Sequence, residues 1–530
     1  MLQTDIEESA TAKIAPLFFS YAKSTPEKQA IWCEGETISY RQLSELVCRW
    51  SHGMLTNDVK RGDHIGVILP NCIEFVALML VAADLGAVLV PLNTSLTPNA
   101  ARRAFDAAEV KHVVSNASLL RALFDPTNAP ESTLNWLEID GLWLSVDTAI
   151  NHAKQLSHVL DSIPVEVQPN NLALAEDAFI LTMTSGSTGD PKPIVLTQRT
   201  KFNRASAAIA IYGVTKEDKT LAATPLYHSL AERLVLIPLL TGGTCVLMSK
   251  FSATTWLKCV ATELVTFTIA VSSQLKLIAE ELSVMKKSDA NTNQISSLRC
   301  IVSSSALLEH SVKADLLEKF DCEFHECYGA SEIAIASNLD GVAAKIKLQS
   351  VGTAALGVDI KIIDKNGEVL GVGQEGEIVC KTPMLFGGYF KRPDLTSAAM
   401  WGDYFKTGDT GKLDEDGFLY FLGRTKDIII SGGINIYPSD IEEVVAQFDT
   451  VLESAAFAFA DHRLGEVVAL AVVPVNKDSF DLRQLRFYCS ERLADFQQPR
   501  KFFVVDELPR NSMGKLMKFQ LVQTLGNKSE

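Results

Sequence analysis

The sequence predicts an α/β protein: a large N-terminal core of two α/β layered subdomains plus a small β subdomain, followed by a small α+β C-terminal domain. Three observations predict it. Apolar runs of strand length alternate with helix-length segments from Asp63 to Tyr328, the pattern of parallel strands joined by crossover helices. Past Val351 the texture changes to short β-patterned segments punctuated by glycine turns. After Arg424, helix and strand signals mix in one compact stretch. With 530 residues the chain has room for about three or four such units.

The first layer reads as strand His64 to Leu69, helix Glu74 to Asp84, strand Ala87 to Val90, a helix from Pro98 and a strand near Val110 to Val114. Phe75 to Leu92 is apolar save for Asp84, nearly long enough to span a bilayer. Gly86 and Pro91 punctuate it, so a buried helix and a buried strand are expected, with no transmembrane segment. Residues 116 to 175, rich in Asn, Ser and Pro, read as surface connections. The second layer comes next: strand Thr220 to Thr224, helix Ser229 to Leu240, strands Thr244 to Met248, Val265 to Ala270 and Leu298 to Ser303, helix Glu309 to Lys319, and a strand into Tyr328. The β subdomain takes Val358 to Ile363, Glu377 to Cys380 and Phe418 to Leu422. The C-terminal piece takes a helix at Ser439 to Phe448, strands at Ala455 to Ala460 and Val467 to Val475, and a helix at Leu482 to Asp495. The expected division is 1–422 and 423–530.

A net charge of -15 opposes nucleic acid or an anionic membrane as main partner, since both would be repelled at long range. Any anion the chain binds must meet local Lys, Arg or metal. Ten cysteines without paired spacing point to free thiols in a reducing, cytoplasmic setting. Asp5, Glu7 and Glu8 do not suit a signal peptide, and the ending Asn527-Lys528-Ser529-Glu530 is no peroxisomal address. Cys322, His325 and Cys327 alternate as a strand would, with the thiols as core residues rather than zinc ligands.

Between two apolar runs lies Thr184-Ser185-Gly186-Ser187-Thr188-Gly189-Asp190-Pro191-Lys192-Pro193. Its hydroxyls and lysine offer many donors, and its glycines let the backbone approach an anion closely. The Walker spacing is absent and the next segment, Ile194 to Leu196, is β-patterned, so a helix N-terminus is not expected to hold the phosphates. Polar Ser/Thr/Gly loops are also common as plain turns.

Five further motifs come after this loop in order: Pro225-Leu226-Tyr227-His228, Tyr328-Gly329-Ala330-Ser331-Glu332, Thr407-Gly408-Asp409, Gly423-Arg424-Thr425-Lys426-Asp427 and Pro509-Arg510-Asn511-Ser512-Met513-Gly514-Lys515. Together, from Glu36-Thr37-Ile38-Ser39-Tyr40 to Lys515, the chain resembles the adenylate-forming superfamily, the acyl-CoA synthetases and their relatives. The resemblance implies joining of a small-molecule carboxylic acid to ATP with release of pyrophosphate, then transfer of the acyl group to a thiol. The acceptor is coenzyme A or, alternatively, the phosphopantetheine arm of a separate acyl carrier protein. A catalytically decayed nucleotide-binding scaffold is a reading of another class.

The resemblance also assigns residues. Thr184, Ser185, Gly186, Ser187, Thr188, Gly189 and Lys192 would face the phosphates, with Tyr328, Gly329 and Ser331 beside the nucleotide. Glu332 would hold magnesium, a hard cation suited to carboxylate oxygen. Asp409 would accept from the ribose hydroxyls, and Arg424 would contact ribose and phosphate. Thr188, Glu332 and Lys515 would be catalytic, Lys515 entering for adenylation alone. Tyr227, His228, Ser304, Ser305, Ala306, Ala330, Gly432 and Gly433 would line the acid pocket or thiol tunnel, and Lys426 would be the hinge.

Three departures stand out. Pro193 replaces a usual glycine, removing an N–H donor from the loop's exit and threatening one phosphate hydrogen bond. Ser303-Ser304-Ser305-Ala306 replaces a glycine-rich pattern, which implies a narrower, more polar pocket for a small, aromatic or polar acid. Near Ser229 the aspartate of amino-acid-activating members is missing, so an α-amino acid is disfavoured.

Overall fold

In a computed structural model the described residues are 13–124, 141–150, 153–157, 163–164, 166–185, 191–287, 295–432, 434–511, 514 and 516–525. Two sheets build the core. The first runs in the order Lys154–Gln155, Trp143–Ser145, His112–Ser115, His64–Ile68, Val88–Pro91, Ala178–Ser185, Pro191–Thr197. All its neighbours are parallel except the last pair, an antiparallel hairpin. The helix Ile73–Leu85 is buried on nearly every side, which explains its unbroken apolar sequence. Gly86 ends it with φ +73°, a left-handed cap that glycine reaches without strain. Its one buried charge, Asp84, accepts from the backbone of Asn170 and Asn171 and from the Asn170 side chain.

The second sheet has nine strands. Its parallel centre comprises Glu323–Tyr328, Cys300–Ser304, Phe267–Val271, Lys219–Ala222 and Thr244–Leu247. The N-terminal strand Gln29–Cys33 extends this centre in parallel, and Glu36–Ser39 closes that edge in antiparallel fashion. These first strands carry no alternation long enough to be read from sequence. The helix Tyr40–Thr56 begins after them at a capping box in which Ser39 and Gln42 exchange hydrogen bonds.

Helices Gln198–Ile211 and Ser229–Thr241 pack between the layers. A five-stranded antiparallel sheet contains Asp359–Ile363, Gly376–Lys381, Tyr404–Leu413 and Leu419–Arg424. The C-terminal unit pairs Val451–Asp461 with Gly465–Pro474 and covers the pair with Pro438–Val445 and Leu482–Arg492. Among the described residues, no helix is long and apolar enough to cross a membrane.

Candidate active site

The parallel strands of the second sheet deliver Ser304 and Tyr328 at their carboxyl ends, the edge where open α/β sheets bind ligands. After Tyr328 the chain turns so tightly that a Cβ on Gly329 would lie 1.7 Å from the Ala334 carbonyl oxygen. Only glycine fits there. The Ala330 carbonyl accepts from the Ile333 and Ala334 amides, and the Tyr328 carbonyl from that of Ala336. This turn fixes Glu332 against the hydroxyl of Tyr389, which donates to its Oε1 at 2.9 Å. The Glu332 carbonyl accepts from Arg204 Nη2 and the Phe386 amide, both at 2.8 Å. Ser331 is exposed at the turn's tip.

The hydroxyl of Tyr328 reaches Asp409 Oδ2 at 2.6 Å, and Arg424 Nε lies 2.9 Å from Asp409 Oδ1. Asp409 and Arg424 are direct partners across strands Tyr404–Leu413 and Leu419–Arg424, which aligns carboxylate and guanidinium on one face. Asp409 is 3% exposed. Burial first, then the Asp409 charge, pushes the Tyr328 hydroxyl well above the phenol range, so it remains a donor. Each oxygen of Asp409 has a further lone pair for a ligand hydroxyl.

Thr184 and Lys192 are register partners at the end of the hairpin Ala178–Ser185/Pro191–Thr197, as are Ser185 and Pro191. The turn residues Gly186, Ser187, Thr188 and Gly189 lie outside the described residues, as do Gly433 and Lys515. Strand Pro191–Thr197 bears out the β pattern read after the loop. Its other edge pairs with the 387–390 segment: the Val195 amide donates to Gly388, and the Phe390 amide to the Pro193 carbonyl.

The rings of Tyr227 and His228 meet at a 50° tilt with centroids 4.4 Å apart, just before the helix Ser229–Thr241. Burial lowers His228 to about 4, so the imidazole is neutral at physiological pH. Ser305 leaves its strand at φ +78°, a conformation that glycine adopts freely and serine adopts at a cost of about 1 kcal/mol. Ser272 Oγ anchors this segment through the Ala306 carbonyl at 2.6 Å. Ser304 is buried, whereas Ser305 and Ala306 are exposed.

Lys426 is exposed in the short 3-10 turn Thr425–Asp427 that succeeds Arg424. Gly432, at φ +56°, turns the hairpin between Ile429–Ser431 and Ile434–Ile436. Gly514 approaches the N-terminal core closely: a Cβ there would lie 2.6 Å from Ser273 Oγ, beside Ser272 and the segment Ser303–Ala306. Two groups escaped the sequence reading, Tyr389 and Arg204. Each reaches Glu332 across more than fifty residues of chain, and only the Gly387-Gly388 pair before Tyr389 hinted at a close turn.

The donors suit a magnesium nucleotide. Glu332 presents a half-buried carboxylate for a hard cation, and Asp409 and Arg424 present an acceptor and a cation for ribose and phosphate.

The AMP-binding enzyme family matches residues 18–390, and the AMP-binding enzyme C-terminal domain matches 440–515. The chain is 30% identical over 502 residues to a 2-succinylbenzoate–CoA ligase of Bacillus cereus (strain Q1), covering 94% of this chain and 96% of the relative. In fold it is similar to o-succinylbenzoate CoA synthetase (MenE) from Bacillus subtilis in complex with the acyl-adenylate OSB-AMP. The TM-score is 0.83 at 27% identity, over 97% of this chain and 98% of that one. ATP-bound MatB from Rhodopseudomonas palustris aligns with TM-score 0.85 at 25% identity, over 97% and 99%. Motif order, site geometry and matches to both parts lead to one conclusion: the chain belongs to the AMP-binding enzyme family, the adenylate-forming acyl-CoA synthetase-like ligases.

Proposed function

We propose that the chain is an AMP-forming acid–CoA ligase for a small aromatic or polar carboxylic acid. The family chemistry uses ATP, magnesium and coenzyme A: the acid carboxylate attacks the α-phosphorus, pyrophosphate leaves, and the thiol then displaces AMP from the acyl carbon. The observation that carries the reading is the contiguous set Tyr328, Asp409 and Arg424, joined by a glycine-locked turn to Glu332.

Asp409 takes the ribose hydroxyls while Tyr328 and Arg424 hold its carboxylate in place. Glu332 holds magnesium, kept in orientation by Tyr389, and the metal when bound offsets phosphate charge. Thr184, Ser185, Gly186, Ser187, Thr188, Gly189 and Lys192 cradle the phosphates. The acid lies between Tyr227 and His228 on one side and Ser304, Ser305, Ala306 and Ala330 on the other. Gly432 and Gly433 face the thiol arm after the C-terminal domain, 423–530, turns about Lys426. Relatives named as CoA ligases favour coenzyme A over a carrier protein as acceptor. A cytoplasmic setting suits ten free cysteines.

ATP–pyrophosphate exchange against a panel of acids, 2-succinylbenzoate included, followed by thioester formation with coenzyme A, tests this reading. Exchange and thioester formation with a short polar or aromatic acid are expected. Preference for palmitate-length acids sinks the substrate class, and no exchange with any acid sinks the ligase.

A further inference from the structure

Asn71 lies in the short loop between the strand His64–Ile68 of the first sheet and the helix Ile73–Leu85, and it is 4% exposed. Its side chain crosses to the second sheet. Nδ2 donates to the Thr224 carbonyl at 2.9 Å and to the Met248 carbonyl at 3.0 Å, and Oδ1 accepts from the Leu226 amide at 2.8 Å. Thr224 and Met248 lie just past the carboxyl ends of Lys219–Ala222 and Thr244–Leu247. One side-chain amide therefore gathers the carboxyl ends of three strands from two sheets, at the edge where the candidate site is built.

The chemistry selects asparagine. Its partners are two carbonyls and one N–H, which an amide answers with both donors and its acceptor. Aspartate would set an oxygen against the two carbonyls, alanine would strand three buried backbone groups, and glutamine is longer by a methylene. The grip falls on either side of Pro225. Proline has no N–H, so Pro225 cannot be held through its own amide, and Asn71 holds the residues before and after it. The Pro225 carbonyl accepts from the His228 amide at 3.1 Å, and the His228 carbonyl accepts from the Ala231 and Glu232 amides at the start of Ser229–Thr241. A hydrogen-bonded path leads from Asn71 through the turn at Pro225 to the backbone of His228.

We propose that Asn71 is a positioning residue for acid binding: it sets the backbone of 224–228 and through it the placement of the Tyr227 and His228 rings. This rests on the proposed acid pocket at Tyr227 and His228 and goes beyond it, because the residue that shapes the pocket belongs to the other sheet and lies more than 150 positions earlier in the chain. Asp409 and Arg424, the proposed nucleotide contacts, stand on a third sheet. Loss of Asn71 therefore acts on the acid and spares ATP, which serves as the internal control.

The test measures ATP–pyrophosphate exchange with acid and ATP varied separately, using the acid that the wild type activates best in the panel above. Asn71→Ala is expected to raise KM for the acid about tenfold or more, the scale of losing several buried hydrogen bonds, while KM for ATP changes less than about twofold. Asn71→Asp, equal in size, is expected to follow Asn71→Ala, since shape alone does not restore the two donors. Thermal midpoints give a second readout internal to each protein: magnesium–ATP raises the midpoint of each variant as much as that of the wild type, and the further rise on adding acid shrinks. Asn71→Ser, the mildest truncation, carries the same comparison if the other variants do not fold. Parallel rises in both KM values, an unchanged KM for the acid, or wild-type acid binding in Asn71→Asp overturn the assignment. No exchange by the wild type with any acid overturns the ligase reading instead.

Discussion

His228 shows how a single side chain couples site and stability. Burial lowers its imidazole from 6.5 to about 4, because desolvation penalises the charged form. Between those values the unfolded chain binds a proton that the folded chain refuses, so stability rises with pH across that window and is complete above 6.5. The swing is up to about 3 kcal/mol. His228→Gln is expected to flatten the fall in denaturation midpoint between pH 6.5 and 4.5, and identical slopes for both proteins would remove His228 as the cause. Asp409, Arg424 and Glu332 were singled out because each sits inside a short motif by which the chain resembles its family, and the structure pairs Asp409 with Arg424. Tyr389 and Arg204 were not. Their partners lie far along the chain, and a lone tyrosine or arginine carries no local sign of what it will touch.

At the scale of elements, parallel strands and crossover helices were readable because each is one apolar run with a clear stop, such as Gly86 or Gly242 at a left-handed cap. The strands Gln29–Cys33 and Glu36–Ser39 were not, since the pairing of the first with Thr244–Leu247 spans more than two hundred residues. The missing N–H of Pro193, expected to threaten a phosphate hydrogen bond, has a place in the strand pairing. In its antiparallel ladder Pro193 faces Phe390, whose amide donates to the Pro193 carbonyl. The donor that proline lacks is thus the one that would answer Phe390 across the ladder. Pro193→Gly is therefore expected to leave ATP affinity within about twofold while loosening the strand, lowering the thermal midpoint slightly. A gain in ATP affinity above about tenfold would restore the phosphate explanation.

For the whole molecule, the two parts meet through small polar contacts. His310 Nδ1 and Glu443 Oε1 are 2.7 Å apart, Tyr437 donates to Glu375, Ser439 donates to the Leu422 carbonyl, and Gly514 rests on Ser273. Exposed ion pairs are worth about 0–1 kcal/mol each, so such an interface holds one arrangement without locking it. The domain rotation proposed above needs that balance, and in this arrangement Gly514 rests against the N-terminal core at Ser273. Lys515→Ala is expected to reduce adenylation about 10²-fold or more, the scale of losing one group aimed at transition-state charge. Thioester formation from supplied acyl-adenylate should change only a few-fold, because the proposed rotation about Lys426 takes the loop out of that half-reaction. Single-turnover measurement of each half separates the two. Equal losses would mean that the loop stays seated through both steps and that the weak interface serves something other than alternation.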